Sequence, residues 1–213
     1  MSMRETALGL AARGFKVFPI KAGAKSPPLI TSWQHQATTD PATVASWWTQ
    51  WPEANIGIHC DGLVVLDVDP KNDGFVSLEQ LEQEVFLEAT YEVETPSGGR
   101  HIYYLAQENA RIKNSVHSLG RGIDIRSTAG YVLGAGSRTA SGEYRALNNE
   151  LPAHIDAELV RRLAARPAEI PAKPAIPIVT DVEAAVARAI SFLETHPVAV
   201  QGQGGDHHTY SAV

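Results

Sequence analysis

One cysteine, Cys60, stands alone in a chain of 213 residues. A lone thiol excludes a disulfide framework and a four-cysteine zinc site, so neither staples the fold and no zinc is expected. Cys60 itself reads as a plain buried residue. No apolar run approaches the length of a membrane span. The stretch from Met1 to Leu10 carries Arg4 and Glu5 and lacks a signal-peptide core, so the expectation is a soluble, cytoplasmic protein without a membrane partner. An excess of positive charge is also missing: 18 Lys and Arg against 24 Asp and Glu leave a net charge of -6. That balance speaks against strong nonspecific binding to duplex DNA. No Ser-His-Asp or Cys-His pattern for a protein nucleophile is visible, and no internal repeat.

At 44% hydrophobic, the chain has enough apolar material for one domain of ordinary to large size plus an appendage. Its charges are segregated. Residues 79–94 hold six carboxylates and no Lys or Arg, whereas residues 100–145 hold seven basic residues against Glu108, Asp124 and Glu143. Two solvated faces of opposite sign are the plainer reading of that split.

Arg4 to Arg13 reads as a helix stopped by Gly14, and Phe15 to Ile20 as a strand. Asp40-Pro41 starts a second helix, with Asp as N-cap and Pro at the first helical position, running to about Gln50. Trp47, Trp48 and Trp51 there read as core. Ile56 to His59 and Leu63 to Asp69 read as strands meeting in a hairpin at Asp61-Gly62. Val76 to Leu87 reads as a helix. Glu92 to Thr95, Ile102 to Leu105, Ile123 to Arg126, Tyr131 to Leu133 and Tyr144 to Leu147 follow as strands, and Asp156 to Ala165 closes with a helix. The fold class is α+β, with a mainly antiparallel sheet. The predicted catalytic domain spans 1–165. A semi-rigid Pro-rich linker follows at 166–180, and then, at 181–213, the start of a helical accessory domain.

The chemistry sits in three segments. In Leu63-Val-Val-Leu-Asp67-Val-Asp69, alternation predicts that both acids leave the same strand face, roughly 7 Å apart. Such carboxylates repel unless paired, and a Mg2+ or Mn2+ pair, which takes hard oxygen ligands, would neutralise them. Carboxylates capping the following turn are the structural alternative. In Gly122-Ile-Asp124-Ile-Arg126, an acid between two isoleucines needs a partner. Arg126 on the same face is one; a metal, with Asp124 as third ligand, is the other. Between them, Thr95-Pro-Ser97-Gly98-Gly99-Arg100-His101 makes a tight turn whose N–H groups can meet phosphate. It reads equally as a hairpin turn with a surface Arg-His pair.

Taken in order, these segments resemble the bifunctional primase-polymerase domains of plasmid and phage replication proteins, within the archaeo-eukaryotic primase superfamily. Gly-Phe-Lys-Val-Phe-Pro-Ile, Gly-Ala-Lys25-Ser-Pro-Pro and Trp33 near the start resemble that family too, and the likeness covers about residues 4–150. It implies an N-terminal α/β unit and an RRM-like catalytic sheet. It also implies Asp67, Asp69 and Asp124 as catalytic metal ligands, and His101 on the triphosphate of the incoming nucleotide. Arg100, Ser97, Gly98 and Gly99 fall beside His101, while Lys25, Arg126 and Ser137 match looser phosphate-binding positions. The implied activity is primase or polymerase nucleotidyl transfer from dNTP or NTP on single-stranded DNA, by two metal ions and with a C-terminal helicase as partner. A metal-dependent nuclease or phosphohydrolase, and a noncatalytic replication-initiator module, are the competing readings.

Overall fold

The computed structural model describes residues 2–107 and 112–164. The predicted linker at 166–180 and helical segment at 181–213 lie outside those residues.

Ser2 opens helix α1 (Met3–Ala12) with a capping box: its hydroxyl accepts from Glu5 N at 3.2 Å, and its own N–H donates to the Glu5 carboxylate at 2.8 Å. Gly14, at φ +91°, turns the chain into strand β1 (Val17–Ile20). A short helix α2 (Trp33–Gln36) lies in the loop that follows. Asp40 caps α3 (Pro41–Gln50) by accepting from Thr43 N at 2.7 Å, a contact worth about 1 kcal/mol. Trp48 is fully buried and donates its indole N–H to the Ala54 carbonyl at 2.9 Å; Trp47 and Trp51 pack partly buried on the same core.

Two sheets carry the rest. The first is three-stranded, in the order β1–β2 (Asn55–His59)–β7 (Tyr131–Leu133), and antiparallel throughout. The second runs β10 (Arg145–Ala146), β4 (Tyr91–Glu94), β5 (Arg100–Leu105), β3 (Leu63–Val68), β6 (Ile123–Arg126). Its neighbours are antiparallel, and β11 (Ala153–His154) adds to β5 in parallel. The α+β expectation holds. The first sheet, however, is not built from N-terminal residues alone, because β7 completes it from beyond the third motif.

Both faces of β3 are buried. Leu63 and Val65 enter the core between the two sheets with Phe15, Phe18, Ile58, Tyr91 and Tyr103. Val64, Leu66 and Val68 enter a second core with Ile102, Ile123 and Ile125, covered by α4 (Gly74–Glu84) and α5 (Ala157–Ala164) through Leu78, Leu81 and Leu159. Each such side chain, fully buried, stabilises by about 1.5–3 kcal/mol.

Three expectations about elements need correction. Asp61-Gly62 is not a hairpin: β2 and β3 belong to different sheets, each already paired on both edges. The turn is the corner where the chain changes sheets, with Gly62 at φ +78°. The helix expected at 76–87 starts at Gly74 and ends at Glu84, because Val85 is extended. The strand expected at 144–147 is only Arg145–Ala146. The acidic and basic runs lie side by side: Arg145 meets Glu94 at 2.5 Å and Arg100 meets Glu92 at 3.2 Å. They neutralise each other in part instead of forming separate faces.

Candidate active site

Register assembles the site. Asp67 on β3 stands directly opposite Asp124 on β6 and directly opposite His101 on β5. The three side chains therefore form one row across three strands, on the face that looks toward the first sheet. Arg126, two residues along from Asp124, shares that face. Its guanidinium lies 3.0 Å from Asp124 Oδ2 and 3.9 Å from Asp67 Oδ2. On the other side of Asp67, His101 Nε2 stands 3.5 Å from Oδ1. The Asp67 and Asp124 side chains keep 31% and 23% of their exposure, whereas His101 is 5% exposed.

The row opens on a cleft of about 430 Å³ between the sheets. Asp67, His101 and Arg126 line one wall; Lys25, Trp33 and Tyr131 face them, and Tyr144 closes one end. The far wall is held aromatic against aromatic: Trp33 stacks on Phe18 at 4.8 Å, and Tyr131 meets Trp33 edge-on at 4.9 Å. The Tyr131 hydroxyl donates to the Lys25 carbonyl at 3.1 Å, fixing that loop over the cleft.

Burial drives the ionisation of His101 downward, so it is neutral at neutral pH; Asp67 pulls the other way, while Lys25 and Arg126 reinforce the burial. His59, at the end of β2 and edge-on to Trp33 at 5.3 Å, is also lowered by burial, opposed by Asp61 and reinforced by Lys16 and His35. A buried histidine with a lowered pKa binds its proton more weakly folded than unfolded. Its stabilising contribution is intact above the unfolded value of about 6.5 and is lost as pH falls toward the folded one. Thermal unfolding of metal-free protein is accordingly expected to shift downward from pH 7.5 to pH 5. Replacing His59 with Phe should flatten that slope; an unchanged slope would show that His59 titrates normally.

Asp69, extended at φ -101° and ψ 116°, lies one residue past β3 and lines a different cavity from Asp67. The strand ends at Val68, and Pro70, which has no N–H, cannot extend the ladder. Asp69 instead caps the 3-10 turn Pro70–Asn72: Oδ1 accepts from Lys71 N at 3.0 Å and Oδ2 from Asn72 Nδ2 at 2.9 Å. Its own N–H donates to the Gly122 carbonyl at 2.8 Å, tying the end of β3 to the start of β6. Asp73, which follows that turn, sits at φ +60° before α4.

The Asp67–Asp124 pair fits a hard divalent cation, because two cross-strand carboxylates already share one cation, the Arg126 guanidinium. Among the described residues, no three His, Cys, Asp or Glu side chains converge as a ligand cluster. Asp69 would have to leave its cap to join.

The family model of the bifunctional DNA primase/polymerase N-terminal domain (Prim-Pol) matches residues 7–173. The chain belongs to this family. It is thus a domain of the primase/polymerase class, and among curated proteins none matches it. Among the described residues no helix is long and apolar enough to cross a membrane.

Within this prim-pol domain the predicted site residues divide. Asp67, His101, Arg126 and Lys25 line the cleft, and Asp124 joins them through its pairing with Arg126 and its register opposite Asp67. Arg100 does not: strand alternation sends it to the opposite face, where it pairs with Glu92 and lies 5.5 Å over the Phe75 ring. Ser137 is fully buried, accepting from Ile56 N at 2.9 Å and donating to its carbonyl, so it cannot reach a phosphate. The amides expected to be free at the glycine turn are used inside it. Gly98 N donates to the Thr95 carbonyl at 2.9 Å and Gly99 N to Thr95 Oγ1 at 3.1 Å. What the turn offers outward is the exposed Ser97 hydroxyl, 3.0 Å from Thr95 Oγ1. Sequence reasoning missed Tyr144 and gave Tyr131 no role, although only three residues separate Arg126 from Gly130-Tyr131-Val132.

Proposed function

We propose that this domain carries out template-directed nucleotidyl transfer, as a DNA primase, a DNA polymerase or both, on single-stranded DNA in plasmid or phage replication. The observation that carries the reading is the Asp124–Asp67–His101 row across three strands, of which Asp67 and His101 line a cleft of about 430 Å³. Mg2+ or Mn2+, held by Asp67 and Asp124 and joined by Asp69 once it leaves its cap, would supply charge neutralisation at the triphosphate and a lowered pKa at the attacking 3'-oxygen.

The chain's own groups do the rest. Asp67 and Asp124 present acceptor oxygens from adjacent strands. Arg126 and Lys25 bring positive charge to the phosphates. His101, neutral and held beside Asp67, donates one hydrogen bond into the cleft. Trp33 and Tyr131 exclude water and offer flat apolar faces to a base. Residues 1–165 form the catalytic unit in this reading, with 166–180 a linker, 181–213 the start of a helical accessory domain, and a helicase acting beyond it.

The test is primer-free synthesis on a single-stranded template, with dNTP or NTP and with Mg2+ or Mn2+. Products longer than a dinucleotide support the reading. Degradation of the template instead would make the domain a nuclease, and salt-sensitive duplex binding without synthesis would make it an initiator module. A hydrogen bond to a charged phosphate is worth about 1.5–3 kcal/mol. His101→Ala is therefore expected to weaken nucleotide binding roughly 10- to 100-fold while single-stranded DNA affinity holds. Collapse of DNA affinity with nucleotide affinity intact would move His101 to the template groove.

A further inference from the structure

Asp67 and Asp124 are held differently. Asp67 stands on a strand paired on both sides, with His101 on one flank and Arg126 on the other. Asp124 stands on β6, the last strand of its sheet, which has β3 as its one strand neighbour. The outer edge of β6 is met by the loop that precedes it. Ser115 and Ile125 exchange both backbone hydrogen bonds, at 3.1 and 2.8 Å, so the chain from 115 to 125 closes on itself there. The middle of that loop rests on α4: a Cβ added to Gly120 would stand 2.7 Å from the Cβ of Ser77.

Elsewhere a short loop closes by strand pairing, as between β8 (Arg138–Thr139) and β9 (Gly142–Glu143). In the loop before β6 an imidazole takes that part. His117 Nδ1 accepts from Gly122 N at 3.0 Å, and the backbone N–H of His117 donates to Asp124 Oδ1 at 3.3 Å. One residue is thereby tied to both ends of Gly122-Ile123-Asp124. The ring itself stays 3.8 Å from Asp124 Oδ1, beyond hydrogen-bond reach, so it acts on the acid through the backbone. Arg126 holds the other oxygen, Oδ2, at 3.0 Å. With one donor on each oxygen the carboxylate plane is set, and lone pairs remain on both.

The backbone at His117 is left-handed, at φ +56°. Few residues with a Cβ adopt that conformation, His and Asn among them, and it persists where the surroundings enforce it. Here both hydrogen bonds do so.

We infer that His117 is a positioning residue for Asp124: its ring closes the loop, and its N–H then sets the carboxylate plane for a divalent cation. This rests on the reading of Asp124 as a metal ligand in nucleotidyl transfer and adds to it what holds that ligand still on an edge strand. Partners of this kind orient a ligand before the metal arrives, and their loss weakens metal binding.

Two substitutions suit the left-handed backbone. His117→Gly deletes the acceptor, whereas His117→Asn keeps one, because the asparagine Oδ1 is as many bonds from Cα as Nδ1 is. The full chain, freed of metal, is titrated with Mn2+ and the bound ion is followed by electron paramagnetic resonance; thermal unfolding without metal checks folding. His117→Gly is expected to bind Mn2+ roughly ten-fold more weakly, and His117→Asn to stay close to the unaltered protein. In synthesis, His117→Gly should need correspondingly more Mn2+ and regain its rate at saturation, which a general loss of structure would not allow. Unchanged Mn2+ affinity in His117→Gly overturns the inference. An equal loss in His117→Asn also overturns it, since the imidazole would then act directly. Coupling is reciprocal, so Mg2+ must slow hydrogen exchange at the Gly122 amide of the unaltered protein. Exchange that Mg2+ leaves unchanged sinks the inference however the variants fold. Asp124→Asn sets the reference: an unaltered protein that binds Mn2+ no better than this variant overturns the metal reading of Asp124, and this inference with it. An unaltered protein that binds Mn2+ through Asp124 but extends no template overturns nucleotidyl transfer alone.

Discussion

Replacing Asp67 or Asp124 with Asn is expected to reduce nucleotide incorporation on the order of a thousand-fold or more, with the thermal unfolding temperature close to that of the unaltered protein. The first half follows from the site. Two carboxylates on adjacent strands are the acceptors around which charge on the triphosphate would be neutralised, and an amide keeps the shape while removing the charge. The second half follows from exposure. Both side chains are a quarter to a third exposed, and such ion pairs contribute about 1 kcal/mol or less. Removing either acid leaves Arg126 paired with the other. Asp69→Asn separates two roles. Its amide oxygen can still cap the Pro70–Asn72 turn, so a structural Asp69 predicts retained activity, and a metal-binding Asp69 predicts the same loss as at Asp67. Full activity in any of the three variants removes that residue from the reaction.

The parts legible in the sequence were those that local chemistry decides. Asp40-Pro41 marked the start of α3 because a cap and a proline at the first helical position act within one turn. The isoleucines around Asp124 marked β6 to the residue, because both sides of that strand are decided by alternation. The pairing of strands was not legible. Asp61-Gly62 has hairpin chemistry, yet the edges of β2 and β3 are taken by strands far away in the chain. Ser137 follows two glycines, Gly134 and Gly136, as an exposed phosphate-binding serine would, but its neighbour in space is the Ile56 backbone. Arg100 follows the glycine turn as closely as His101 does, and alternation alone decides which of them faces the cleft. Asp69 follows the strand with extended backbone, and what the sequence does not reveal is that its carboxylate caps the turn that Pro70 begins.

Two glycines have a tight steric task where the acidic motifs meet. Gly122→Ala and Gly74→Ala are each expected to lower stability by roughly 2–4 kcal/mol and to abolish activity. Gly122 is at φ +71°, which alone costs a residue with a Cβ about 1–2 kcal/mol. A Cβ there would also stand 2.6 Å from the Asn72 carbonyl and 2.7 Å from Gly74 N. From the other side, a Cβ on Gly74 would stand 2.5 Å from the Asp69 carbonyl and 2.7 Å from that of Gly122. All of these are backbone atoms, so no rotamer change relieves the contact. Relief must come from separating the Asp69 turn from the strand that carries Asp124, which breaks the 2.8 Å bond from Asp69 N to Gly122. The two acidic motifs then no longer hold their register, and loss of activity is expected even at temperatures where the variant stays folded. At this chain length, 3 kcal/mol corresponds to a fall in Tm of roughly 6–12 °C. Gly9→Ala in α1 is the control: no atom lies within 4 Å of its added Cβ, and alanine favours helix by about 1 kcal/mol. It should match or exceed the parent in stability. A Gly122→Ala protein that melts with the parent and still synthesises would show that the two motifs are not held together by this backbone contact.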